Sequence, residues 1–366
     1  MQRSSTFKFS IIAFFLCFLV ISAFPQEKVR KEDVKATLSV LPVVYYTPET
    51  RWVFGVGGVS TFKQDSLPST YESQLTAGIA YSLRKQFLSY LSGRVFTPQN
   101  KSLLYGEVGW YDYVFFYFGQ GMNVTDASEE IYSAKFPRIR FNYARNLGEN
   151  WFLGGGFRFD DMNIFEVQDD GALANNEVSG SQGGRNSGLG PLILHDSRNN
   201  QLYPESGAYF EGSFQGFGGV FGGEFSYMRA LADFRKILPV GKNQVFAAQA
   251  FSEMTLGDVP FFALPMLGGN KLLRGLFEGK YRDKNVLALQ AEYRYKFLPR
   301  WGMVAFGGTG NAFSKENPFQ IGLSKITYGV GGRFQLNKEK KLNLRLDLAH
   351  SPGEPFQFYF TFGEAF

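Results

Sequence analysis

The chain alternates. Across long stretches of its 366 residues, apolar and polar side chains exchange places at every second position. That is the period of a β-strand with one greasy and one polar face. From Tyr71 to Leu83 the odd positions read Tyr, Ser, Leu, Ala, Ile, Tyr, Leu, and the even ones Glu, Gln, Thr, Gly, Ala, Ser. From Leu342 to Ala349 every even position is Leu, set between Asn343, Arg345, Asp347 and Ala349. From Leu287 to Phe297 one face is Leu, Leu, Ala, Tyr, Tyr, Phe; the other is Ala288, Gln290, Glu292, Arg294, Lys296. Helical periodicity is scarce.

A soluble sandwich also alternates, so a second discriminator is needed. In a sandwich the buried face is aliphatic and the polar face meets bulk water. In a membrane barrel the greasy face meets lipid, carries aromatic girdles near its ends, and backs onto a polar lumen. Here the greasy faces end repeatedly in aromatics: Tyr71 and Tyr81, then Tyr293 to Phe297. At the C-terminus Phe356, Phe358, Phe360, Phe362 and Phe366 share one parity. That suits a lipid-facing closing strand, whereas on a soluble edge it would invite aggregation. The expectation is an all-β, transmembrane antiparallel β-barrel of about 16 strands, with 14 as the alternative count. Reading backwards, strands fall at 355–366, 340–351, 320–337, 300–314, 284–298, 242–256, 222–237, 206–218, 187–197, 150–165, 130–146, 101–113, 86–97, 71–84 and 52–63, with 38–47 completing sixteen. The segment Tyr113–Thr125 breaks this parity. Short turns belong on the periplasmic side, which places 166–186 and about 257–283 outside.

Composition removes other classes. Gly 42, Phe 40 and Tyr 19 against only 19% charged residues exclude a disordered chain. One cysteine, Cys17, excludes a disulfide scaffold, and two histidines leave little for a metal centre. Asp160-Asp161 and Asp169-Asp170 are read as solvated loop ends rather than calcium ligands. Neither a cofactor nor a metal is expected. The net charge of +5, or +3 without Arg3 and Lys8, is too small to suggest nucleic acid.

Arg3 and Lys8 precede an apolar run from Phe9 to Ala23, closed by small residues and Pro25. This has the three parts of a secretory signal peptide, cleaved between Ala23 and Gln26. The expected division is 1–25 as leader, 26–50 as a short periplasmic segment that can include a first strand, and 51–366 as barrel.

Three segments resemble the bacterial surface antigen family, the barrel superfamily of BamA and TamA. The first is Asp196-Ser197-Arg198 followed by Pro204 and Gly207. The second is Gly268-Gly269-Asn270-Lys271-Leu272-Leu273-Arg274-Gly275-Leu276, similar to the family's inward-folded loop. The third is Glu292-Tyr293-Arg294 with the terminal aromatics Phe358, Phe360, Phe362 and Phe366, which read as the barrel's own assembly signal. The resemblance implies an outer-membrane barrel that inserts or translocates proteins with a partner. It implies contacts with outer-membrane lipid and lipopolysaccharide, and with the assembly machinery during its own insertion. A separate periplasmic protein would replace the family's POTRA domains, since the residues before the first strand are too few for one. Where the family often carries an acid after the Glu-Tyr-Arg strand, this chain has Gly308. Glu292 is therefore the expected partner of Arg274, pinning the loop inside the lumen.

Two other readings stay open: a docking barrel and a passive channel. A lipid-modifying enzyme is disfavoured. His195, Asp196 and Ser197 are triad residue types, but neighbours on a strand point to opposite faces. His350 has lipid-side parity.

Overall fold

Residues 36–67, 70–337 and 341–366 are described in a computed structural model, and in them the two-residue period becomes sixteen strands. They are β1 (Thr37–Thr47), β2 (Arg51–Phe62), β3 (Ser73–Ser82), β4 (Phe87–Phe96), β5 (Ser102–Tyr117), β6 (Glu130–Gly148), β7 (Trp151–Val167) and β8 (Gly184–Asp196). Then follow β9 (Gly207–Phe217), β10 (Tyr227–Gly241), β11 (Gln244–Gly257), β12 (Asn285–Lys296), β13 (Trp301–Phe313), β14 (Lys325–Asn337), β15 (Leu342–His350) and β16 (Gln357–Phe362). Each pairs antiparallel with its chain neighbours, and β1 meets β16 to close the barrel. Closure pairs every strand with two neighbours, as a lipid solvent demands. The leader expected at 1–25 lies outside the described residues.

Alternation sorts the faces. On β12, Leu287, Leu289 and Tyr293 point outward, while Val286, Ala288, Gln290, Glu292 and Arg294 are buried inward. On β15, Leu346 and Leu348 face out against inward Asn343, Arg345, Asp347 and Ala349. The longest connections gather at one end: 118–129, 168–183, 258–284 and 314–324, while 63–72 and 197–206 turn at the other.

Closure is uneven. Strand β15 pairs with β16 from Leu344↔Phe362 to Ala349↔Gln357, and β1 with β2 from Thr37↔Thr61 to Thr47↔Arg51. Between β1 and β16 the register holds one pair, Tyr46↔Phe360.

Three expectations need correction. Phe366 shares the parity of Phe362 but not its face. The chain leaves the sheet at Gly363, where φ is +76°, and Phe366 is buried against Ile237, Val245 and Ala247. Periodicity predicts a face only while the strand lasts. Tyr71 precedes β3 and turns in against Phe96, its hydroxyl donating to Asn150 Oδ1 at 2.8 Å. Asp160 is no solvated loop end: it sits inside β7, paired with Arg138 at 3.0 Å and Arg140 at 2.5 Å. The irregular stretch from Tyr113 is the upper end of β5, where the rings of Tyr111, Tyr113 and Phe115 meet in tilted contacts along the inner wall. Aromatics on the lumen face hide its parity.

Candidate functional site

The loop 258–284 between β11 and β12 lays its tip on lumen-facing side chains. Gly268 and Gly269 turn the chain, and Gly269 N donates to Leu276 O at 3.0 Å. Leu273 and Leu276, both fully buried, join Leu267, Tyr281, Val286, Ala288 and Ala312 in one apolar cluster. Gly308 explains itself here. A Cβ on it would stand 2.7 Å from Leu273 Cδ2, so a side chain in place of the family's usual acid would collide with the loop. Gly275 lies flush on β15, at φ +109°, where a Cβ would come within 3.0 Å of the His350 backbone.

Arg274, 1% exposed, reaches two carboxylates. Its Nη2 donates to Glu292 Oε2, and its Nη1 to Asp347 Oδ2 at 2.6 Å. The guanidinium lies over the Phe306 ring, 3.5 Å from its centre. Glu292 also accepts from Arg294 Nε at 2.7 Å. Asp347 takes Arg333 Nη1 at 2.6 Å and Arg345 Nε at 3.3 Å. Arg333 continues to Glu364 at 2.8 Å. The group is buried and both carboxylates are charge-assisted, the condition under which buried ions are tolerated. Arg274 Nε, Arg333 Nη2 and Arg345 Nη1 hold no hydrogen bond among the described residues.

The Asp196 motif joins this network from the far wall. Arg198 grips Asp196 with two bonds of 2.8 Å, and Arg94 adds a third at 3.0 Å. That fixes the β8–β9 connection up to Gly207, whose backbone at φ +110° passes too close to Ser197 for any side chain. Pro204 O then accepts from Arg294 Nη1 at 3.1 Å, while Arg294 Nη2 donates to Phe366 O at 2.9 Å. Arg294 therefore links Glu292, the β8–β9 turn and the C-terminal tail. Tyr293 points the other way, to the outer face, and donates to Gln244 Oε1 at 2.7 Å. Phe358 and Phe360 share the even, outward side of β16 with the exposed Phe362.

Sequence reasoning missed Asp347, Arg333, Arg345, Glu364 and Phe306. Arg345 and Asp347 carried a signal in their lumen parity; Glu364 carried none, since it lies beyond the last strand. The histidines stand apart. His195 stacks on Trp151 and contacts Ser197 Oγ at 3.2 Å, with Asp196 turned to the opposite face. His350 stacks on Phe356.

A model of the Omp85 superfamily domain matches residues 71–366. The chain belongs to the Omp85 superfamily. A relative within it, the outer membrane protein assembly factor BamA of Nitratidesulfovibrio vulgaris, is 23% identical over 257 residues. That match covers 69% of this chain but 30% of the relative, so the chain spans under a third of that protein. Among solved structures, BamA from Haemophilus ducreyi lacking POTRA domains 1–3 has a TM-score of 0.59 at 15% identity, covering 89% of this chain and 70% of that one. CdiB from Acinetobacter baumannii has 0.55 at 12% identity, covering 90% and 60%. At these identities the structures speak for the Omp85 barrel fold alone.

Proposed function

We propose that this Omp85 barrel assists the insertion or translocation of proteins at the Gram-negative outer membrane, together with a periplasmic partner, by parting its β1–β16 seam. The observation that carries this reading is the seam itself, one register pair where β15–β16 holds six and β8–β9 seven. Unpaired strand edges are templates for another strand, and in lipid they cannot stay unsatisfied. A seam with little ladder to break is where an incoming strand costs least. The relative's name, an assembly factor, supports the same direction.

The test is an insertion assay. The barrel is reconstituted in liposomes and folding of an unfolded outer-membrane protein is followed, against empty liposomes. In a Cys17→Ser background, Tyr46→Cys and Phe360→Cys allow the seam to be locked by oxidation. The expected result is acceleration by the reduced barrel and none by the oxidised one. Equal rates in both states sink the reading. Co-purification of a periplasmic protein tests the partner.

A further inference from the structure

The loop that carries Arg274 touches both flanks of the seam. On the β16 side the loop holds Glu354 and Tyr359, while side chains of β14 and β15 hold the tail and the rest of the strand. Before it, Glu354 accepts from Lys280 Nζ at 2.7 Å and from the Tyr281 hydroxyl. Within it, Tyr359 Oη accepts from Gly275 N at 3.1 Å, and Thr361 Oγ1 accepts from Arg345 Nε at 2.9 Å. After it, Glu364 is held by Arg333 and by Asn343 Nδ2 at 2.8 Å. On the other flank the loop meets the β1–β2 hairpin at its tip. Glu49 Oε1, in the turn between the two strands, accepts from Glu278 N at 2.9 Å. Phe277 anchors the neighbouring loop residue edge-on against Phe116 and Phe118, with ring centres at 5.2 and 5.8 Å. Glu278 N is thus presented from a fixed base.

We propose that Glu49 is a latch: its hydrogen bond to the loop backbone holds the β1–β2 hairpin closed on a β16 that is itself anchored, and its release lets the hairpin move. This rests on the seam reading above and adds which residue governs the opening. The moving leaf is the hairpin, because parting β16 instead would break buried ion pairs, whereas parting the hairpin gives up one hydrogen bond at the loop.

The Y46C/F360C pair in the C17S background reads seam closure directly, as the rate of disulfide formation under brief oxidation in liposomes. With E49A the rate should fall roughly fivefold, the factor that one net hydrogen bond is worth. E49Q keeps a side-chain carbonyl in place and should cross-link like the parent. E49D retains the charge but falls one methylene short, so it should follow E49A; it also carries the test if E49A fails to fold. Parental rates in both E49A and E49D overturn the latch, and so does loss in E49Q equal to that in E49A. The seam reading is judged separately in the insertion assay: if oxidation of the pair leaves insertion untouched, that reading falls, while the cross-linking rates still decide Glu49.

Discussion

Arg274 is the residue on which the lumen network turns, because it alone brings the loop's charge to both Glu292 and Asp347. Removing one partner from a buried pair costs about 3–5 kcal/mol when the other charge is left bare. Here Arg294 still serves Glu292, and Arg333 and Arg345 still serve Asp347, so Arg274→Ala should cost less than that full amount. We expect a loss of about 2 kcal/mol in denaturant unfolding, with faster tryptic cleavage at Lys271. Arg274→Lys should not restore stability, since an ammonium cannot fork to two carboxylates while lying flat on Phe306. Wild-type cleavage in both variants would show that the loop is held by its leucines instead. Much of this site was legible: Arg274, Gly275 and Glu292 stand out by motif and parity. Asp347 did not, because 73 positions separate it from Arg274 and only the barrel's register brings them together.

At the scale of elements, the loop tip carries a pH dependence. Glu278 keeps an exposed side chain beside the Gly269 turn. Partial desolvation by the surrounding barrel wall and the Glu49 carboxylate push its carboxyl up to about 7, against the pull of Lys271, Arg282 and Arg138. Burial raises Glu49 as well, against its hydrogen bonds to Glu278 and Thr47 and the nearby Arg84. Both acids bind protons more tightly with the loop docked than released. Docking is therefore strongest near the ordinary glutamate value of 4.5 and weakens as pH rises through about 7. Hydrogen exchange at the Glu278 amide, corrected for its intrinsic rate, should show protection falling between pH 5 and pH 8. Glu278→Gln should flatten that fall; an unchanged slope would assign it to another group.

The C-terminal tail is a second element with its own test. Phe366 fills the hollow between Ile237, Val245 and Ala247, so Phe366→Ala should cost on the order of 3 kcal/mol, measured by urea unfolding in detergent micelles. A lipid-facing phenylalanine at the same position would cost far less, so the magnitude separates the two placements. Strand positions were readable from parity because lipid leaves a strand no choice of face. The tail was not, since Gly363 ends the strand and parity with it.

For the whole molecule, the question is whether the lumen conducts. Strand tops and connections pack together at the end bearing the long loops: Tyr117, Tyr132, Phe136, Phe217 and Tyr227 meet Leu173 from one connection and Phe261 and Leu264 from the loop. At the same end the loop reaches the top of β5 through Arg282, whose Nη2 donates to Phe116 O at 2.9 Å. Its backbone also bridges Gly121, with Gly121 N donating to Arg282 O at 2.8 Å. We expect the apolar cluster and the ion-paired loop to obstruct the path of hydrated ions. The alternation of the sequence announced a polar lumen but was silent on this filling, which depends on how connections fold back across the barrel. The intact barrel should accordingly show brief, small conductance steps in planar bilayers. Combining Arg274→Ala with Phe277→Ala loosens the loop on both walls while its leucines, Lys280 and Tyr281 still hold it, so openings should become larger and longer-lived than in the unaltered barrel. Large, stable openings in the unaltered barrel would instead make it a passive channel, and the seam would lose its claim to be the route.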